Sequence, residues 1–365
     1  MAKLRKGFGC LGWKGTLAIS MAVLLVLAMA CKAPSLAAEQ KVIKLRFSSS
    51  FMPPEPPNVQ ANHTFDLVEK KTKGRVKIER FMAGALGGPH EQLDLASSGA
   101  VDVISLHIDQ FPQQLPLHQI TNTEQRVSGE QGLRNVTALI RELPETKGLF
   151  EAEQERNNIK ILHFHANGPT GVTARFEVSS SLAELKGKKV NVIAAFHREV
   201  FKELGWIPVN VQIPELYEAL SRGVIDAIFM ATAAVIPLKW YEPAKAHLVL
   251  GENTVISTPL AFNLDSWNRL PADVQKAFLD ASWETARWSV DQNERFIRDT
   301  YGKLEQSGAK VIRISQRESE EFFTVLFRNS IRNWQDICSN AGVRKEAGII
   351  QKYWDEMKWG KWKGQ

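Results

Sequence analysis

From Lys41 to Phe47 the chain alternates polar and apolar positions (Lys-Val-Ile-Lys-Leu-Arg-Phe), the period of a half-buried strand, before Ser48-Ser-Ser50 leads into a proline-rich loop ending at Pro57. Helical spacing follows from about Val59 to Lys71, then a second strand from Val76 to Phe81 and a glycine turn at 84–88. Residues 91–102 (Glu-Gln-Leu-Asp-Leu-Ala-Ser-Ser-Gly-Ala-Val-Asp) then recur in altered form at 215–226 (Glu-Leu-Tyr-Glu-Ala-Leu-Ser-Arg-Gly-Val-Ile-Asp). Each copy reads as a short amphipathic helix ending at a glycine suited to the left-handed conformation, with an apolar strand beginning two residues later. Two copies this far apart do not make a solenoid, whose units recur every ~20–50 residues. They predict two similar α/β lobes with a cleft between them, the kind of place where small ligands bind.

The first repeat runs into a strand from Val101 to Leu106, and His163 to Ala166 closes the first lobe. Ser181 to Glu184 carries a capping-box pattern, Val190 to Ile193 is a strand, and His197 to Leu204 is helical. The second repeat leads into the strand Val224 to Met230. Pro271 opens a long amphipathic helix reaching about Gln306, and another helix spans about Glu318 to Ser339, before a tail from Tyr353 to Trp362 that mixes Trp with Lys. Strands alternating with helices predict an α/β class with largely parallel pairing. The predicted division is 1–37 as a leader, 38–165 plus 257–300 as lobe I, and 166–256 plus 301–365 as lobe II.

The leader changes the charge balance. Lys3, Arg5, Lys6 and Lys14 precede an apolar run from Thr16 to Ala30, and small residues then offer cleavage after Ala37 or before Cys31. That is the pattern of a secretory signal peptide, and the run falls short of the ~20 residues a membrane span needs. Lipid attachment at Cys31 is the alternative anchor. The chain has 46 Lys+Arg and 40 Asp+Glu, but residues 1–37 hold five of the bases and none of the acids. The remaining 41 bases against 40 acids give no argument for nucleic acid or an anionic membrane. Cys338 is the one cysteine beyond the leader, so no internal disulfide is expected after cleavage at Ala37.

Taken in order, several segments resemble the solute-binding proteins of tripartite ATP-independent periplasmic (TRAP) transporters, of the dicarboxylate-binding DctP type. They are Gly-Arg-Val-Lys-Ile-Glu-Arg-Phe-Met-Ala-Gly-Ala-Leu-Gly from Gly74, Glu91 through Asp102, Ser181 through Val190, Glu215 through Leu220 with Gly223 to Asp226, and Leu270-Pro271. The resemblance covers nearly all of the chain beyond the leader. It implies a two-lobed periplasmic binding protein fold with a long helix spanning both lobes, and a small organic solute, by family default an acid, captured between them. It further implies hinges near Ala166 and Ser257, delivery to a membrane permease driven by an ion gradient, no catalysis, no cofactor and a monomeric receptor in the periplasm.

The same resemblance implies an Arg in the strand after Val190, whose guanidinium clamps a ligand carboxylate at two points; here the position is Asn191. A second family Arg follows an Asn-Gly pair. Here Asn167-Gly168 leads to Thr170, and the nearest Arg is Arg175, a candidate replacement clamp. His107, just past a strand end, is a hydrogen-bond donor candidate. Phe229 and Met230 are candidates to wrap an apolar solute, and Ser50, Phe51 and Met52 to offer backbone N–H groups. Trp206 and Trp240 read as packing. The expected ligand is neutral or largely apolar unless another residue holds its acid group.

Two rivals stand beside this reading. One is a sensing receptor of the same fold, which sequence does not separate from a transport receptor. The other is a secreted metal-dependent hydrolase using His163 and His165, two apart as on one strand face. No third ligand at motif spacing accompanies them, and no nucleophile elbow, phosphate loop or dinucleotide fingerprint occurs.

Overall fold

The first alternating segment forms β1 (Ile43–Ser48), and in register beside it runs β2 (Val76–Phe81), parallel from Ile43↔Val76 to Ser48↔Phe81. A computed structural model describes residues 42–192 and 196–361, so residues 1–41, which include the leader, 193–195 and the last four residues lie outside the described chain. From Ile43 onward the chain forms one compact unit. β3 (Val103–Ser105) and β4 (Ile159–Ile161) follow, then β5 (His165–Gly168), β6 (Thr170–Ala174), β7 (Lys189–Val192), β8 (Ile207–Asn210) and β9 (Ala227–Ala231). The last four are β10 (Ala246–Val249), β11 (Val255–Ser257), β12 (Leu260–Asn263) and β13 (Lys310–Arg313).

These strands make two large sheets, β2-β1-β3-β12-β4 and β13-β10-β6-β9-β7-β8, with β11 and β5 paired as a two-stranded ribbon. The expected parallel pairing holds for β1 with β2 and β3, for β7 with β8 and β9, and for β10 with β13. β12 and β6 instead run antiparallel to both neighbours. Both follow directly from the ribbon strands β11 and β5, with no crossover helix to return them in the parallel sense.

The repeat does the same work twice. Helices α1 (Pro56–Lys71) and α2 (Gln92–Ser97) belong to the first sheet, and α3 (Leu216–Arg222) to the second. Gly99 and Gly223 close the two repeat helices at φ +76° and +75°, left-handed conformations that favour glycine. The aspartates that follow tie the first strand of each α/β unit. The Asp102 carboxylate accepts the Arg46 N–H at 2.8 Å, and that of Asp226 accepts the Lys189 N–H at 2.8 Å. Their backbones complete the match, with Asp102 N–H donating to Arg46 O and Asp226 N–H to Lys189 O. Asp102 O takes the Asn263 N–H, and Asp226 O takes the Arg175 N–H.

Two helices run across both sheets. α4 (Ala272–Gln306) spans 35 residues, about 52 Å at the helical rise. Its Val274, Phe278 and Ala281 pack in the core of the first sheet, whereas Leu304 packs with α3 residues. α5 (Gln316–Asn340) buries Phe322, Phe323, Leu326 and Phe327 in the core of the second sheet and Trp334 and Cys338 in a core shared with first-sheet residues. The β5–β11 ribbon, where Ile256 opposes Ala166, lies on the chain between the sheets.

Candidate binding cleft

The loop after β1 is fixed by side chains rather than left open. Asn58, buried in the first turn of α1, donates its amide to Phe51 O at 2.7 Å and Met52 O at 3.0 Å. The Phe51 N–H goes to Ser49 Oγ and the Met52 N–H to a carboxylate oxygen of Glu55 at 2.7 Å. Two of the three N–H groups expected to meet ligand are therefore already engaged, and the Met52 side chain is exposed. Ser50 Oγ bonds His107 Nε2 at 2.8 Å, and the Phe51 ring stacks on the His107 ring at 3.9 Å. Burial holds the His107 pKa below its ordinary value, so its ring is neutral near pH 7.

Side chains alternate along β9, which separates two candidates. Phe229 is fully buried, edge-on to Phe201 at 5.5 Å and to His197 at 5.0 Å, so it is core and not cleft wall. Met230, one residue on, faces a cavity of about 110 Å³ together with Phe51, Glu55, Asn167, Leu238 and Thr258. Three expected residues, Phe51, Asn167 and Met230, thus share one wall, with Ser50 and His107 standing behind Phe51. Thr258 takes φ +59° there, a conformation costly for a β-branched side chain.

The other candidates go elsewhere. Asn191 is buried where β7 meets β9, its Oδ1 accepting the Phe229 N–H at 2.7 Å, while its Nδ2 has no partner among the described residues. Thr170 is buried, donating from Oγ1 to a Glu124 carboxylate oxygen at 2.6 Å and from N–H to Asn253 Oδ1 at 2.8 Å. Arg175 lies past the opposite end of β6, exposed beside Gly223, in the place Asn263 takes in the other half. Five strand residues put it about 16 Å from Thr170, so the structure does not bring it to the cavity.

Sequence reading missed Glu55, Asn58, Leu238, Thr258 and Glu124. The Pro-Pro-Glu-Pro-Pro run flags Glu55 as a charge in a rigid loop; nothing local marks Thr258 or Glu124. Glu124 is fully buried, and burial, opposed by the Thr170 hydrogen bond, raises its pKa to about 7.

His163 lies outside β5 and bonds Ser282 Oγ at 2.8 Å; burial, with Arg141 and His165 nearby, lowers its pKa to about 3. His165 is buried with its pKa lowered to about 4. The two do not share one strand face, and among the described residues no group of three or more His, Cys, Asp or Glu side chains could hold a metal ion. Trp206 and Trp240 are buried in the core.

Two α/β units joined by a strand ribbon and long shared helices, with a partly apolar cavity beside the ribbon, have the architecture of a solute receptor. The family model for bacterial extracellular solute-binding proteins, family 7 (DctP), matches residues 47–331, and the chain belongs to that family. Among curated relatives, a C4-dicarboxylate-binding protein, DctB, of Bacillus subtilis is 21% identical over 287 residues, 78% of this chain and 80% of the relative. A monocarboxylate 2-oxoacid-binding periplasmic protein of Nostoc is 28% identical over 269 residues, 68% of each chain. Among solved structures, a TRAP periplasmic solute binding protein from Rhodoferax ferrireducens with bound malonate superposes with a TM-score of 0.72 at 19% identity, covering 86% of this chain and 98% of that one. A marine-metagenome TRAP protein specific for aromatic acid ligands gives the same TM-score, identity and coverage.

Proposed function

We propose that this chain is the periplasmic solute receptor of a TRAP transporter. It captures a small organic solute beside the β5–β11 ribbon, closes its two lobes about hinges near Ala166 and Ser257, and delivers the solute to a membrane permease driven by an ion gradient. The observation that carries this reading is the cavity whose wall joins Phe51 from the first sheet's loop to Met230 of the second, with Asn167 and Thr258 of the ribbon segments between them. A solute touching all four gains contacts only when the lobes are together, which is how binding shifts a hinge equilibrium. Export by the leader places the receptor in the periplasm, and among the described residues no helix is long and apolar enough to cross a membrane. The protein's work is binding and release, with no chemistry on the solute. The bound acids of its relatives support a small organic solute as the cargo class.

The test is a thermal-shift panel on the mature chain, unfolded and refolded to strip carried-over ligand. It pairs small organic acids with their alcohols, amides and amines. A ligand at 100 times its dissociation constant adds ~2.7 kcal/mol of stability. A shift of several degrees by some member is expected; no shift by any member at millimolar concentration would sink the receptor reading.

A further inference from the structure

Among the described residues Glu55 is the one ionisable side chain in the wall of the cavity, and no described Lys, Arg or His lines it. One of its carboxylate oxygens takes the Met52 N–H at 2.7 Å, and the other accepts no hydrogen bond among the described residues. The loop is closed reciprocally, since the Glu55 N–H donates to Met52 O at 3.1 Å, so the carboxylate is held in place rather than swinging into solvent. Burial raises its pKa, opposed by the Met52 N–H hydrogen bond. A half-satisfied, partly desolvated carboxylate is a site for a hydrogen-bond donor, and a cationic donor suits it best.

The element next to it removes the usual welcome for an anion. A helix N-terminus attracts anions through its unpaired N–H groups and its dipole. At the start of α1, Pro56 and Pro57 have no N–H, and the next two, of Asn58 and Val59, both donate to Glu55 O at 3.0 and 3.1 Å. The Glu55 carboxylate then sits at that end and offsets the dipole. Asn191, where the resemblance implies a carboxylate-clamping Arg, is buried outside this wall, with its oxygen occupied by the Phe229 N–H.

We propose that the solute carries an amine on a short apolar body, with the amine on Glu55 and the body against Phe51, Met230 and Leu238, and that simple carboxylates are poor ligands. This deepens the solute-receptor reading and rests on it. Size bounds the body: about 110 Å³ is smaller than the ~150 Å³ apolar cavity that accepts benzene. A branched body of four or five carbons is the right scale.

The experiment is isothermal titration of the refolded mature chain with 3-methylbutylamine, 3-methylbutan-1-ol and 4-methylpentanoate, which share the 3-methylbutyl body and differ in head group. A charge-assisted bond in place of a neutral one predicts the amine binding about tenfold tighter than the alcohol, with the acid weaker than the alcohol. Added NaCl weakens the amine and leaves the alcohol unchanged in the unaltered protein, a readout that needs no variant. Glu55→Gln keeps an acceptor for the Met52 N–H and should bring the amine down to the alcohol's affinity at an unchanged melting temperature. The proposal is overturned if the acid binds as tightly as the alcohol, if the amine's advantage survives Glu55→Gln, or if none of the three binds. Should acids from the wider panel shift the melting point, the receptor reading stands and the amine proposal alone falls.

Discussion

Replacing Glu124 with Gln should remove a pH-dependent weakness at the junction of the two halves. The folded protein holds this carboxyl near a pKa of about 7 against an ordinary 4.5, because burial opposes ionisation more than the Thr170 hydroxyl favours it. A raised folded pKa in an acid means the unfolded chain gives up its proton first. The stability from the neutral form is fully present below pH 4.5 and is lost as pH rises towards 7. At 1.36 kcal/mol per unit, the loss is about 3 kcal/mol. His165, His197 and His247, buried, and His163, partly buried, have pKa values lowered to about 3 or 4 and act in the opposite sense: each favours the fold above 6.5 and less as pH falls. The raw pH profile therefore mixes both, and the difference between Glu124→Gln and the parent isolates Glu124. Gln can still accept the Thr170 hydroxyl, so the two proteins should be about equally stable at pH 4.5. By pH 7.5 the variant should be more stable by roughly 2–3 kcal/mol, several degrees in melting temperature by scanning calorimetry. A difference that stays flat from pH 5 to 8, or a variant less stable at pH 7.5, would refute the reasoning.

Gly171→Ala places a Cβ 2.7 Å from His247 Nε2 and 3.0 Å from Leu248 O. The ring is held by Thr173 Oγ1 at 2.9 Å, so urea unfolding should show a loss of about 1–3 kcal/mol, and an unchanged midpoint would contradict it. Asn191→Ala leaves the Phe229 N–H buried without its acceptor and should cost about 1–3 kcal/mol in the same assay; a near-neutral result would mean that the amide is not structural. Asp102→Ala and Asp226→Ala should each destabilise, Asp102 more, because its carboxylate also takes the Ser266 hydroxyl at 2.7 Å. The reverse order would break the equivalence of the repeats.

Much of the fold was legible because its signals are local. Val76–Phe81 was expected at its observed bounds, the long helix began within a residue of Pro271, and the capping box at Ser181 with Glu184 is formed. The repeat glycines were read for their conformation, whereas the aspartates, paired across 56 and 37 residues, show their role only in three dimensions. The cleft was half legible. The loop after the first strand put Phe51 in view and the run after the second repeat's Asp put Met230 in view, but alternation sends Phe229 into the core, and Arg175 lies at the wrong end of its strand. Glu124 and Thr258 gain their character from distant partners and backbone strain, which no short window of residues displays.

Native mass spectrometry after capture is the most direct test that this cavity holds the solute. The refolded chain and its Met230→Trp variant, whose larger side chain fills the cavity, are each mixed with one complex small-molecule extract and desalted. The parent should retain a single small organic molecule at one per chain, and the variant, with matched melting temperature, should retain none. Equal retention by both, or none by either, would contradict the account.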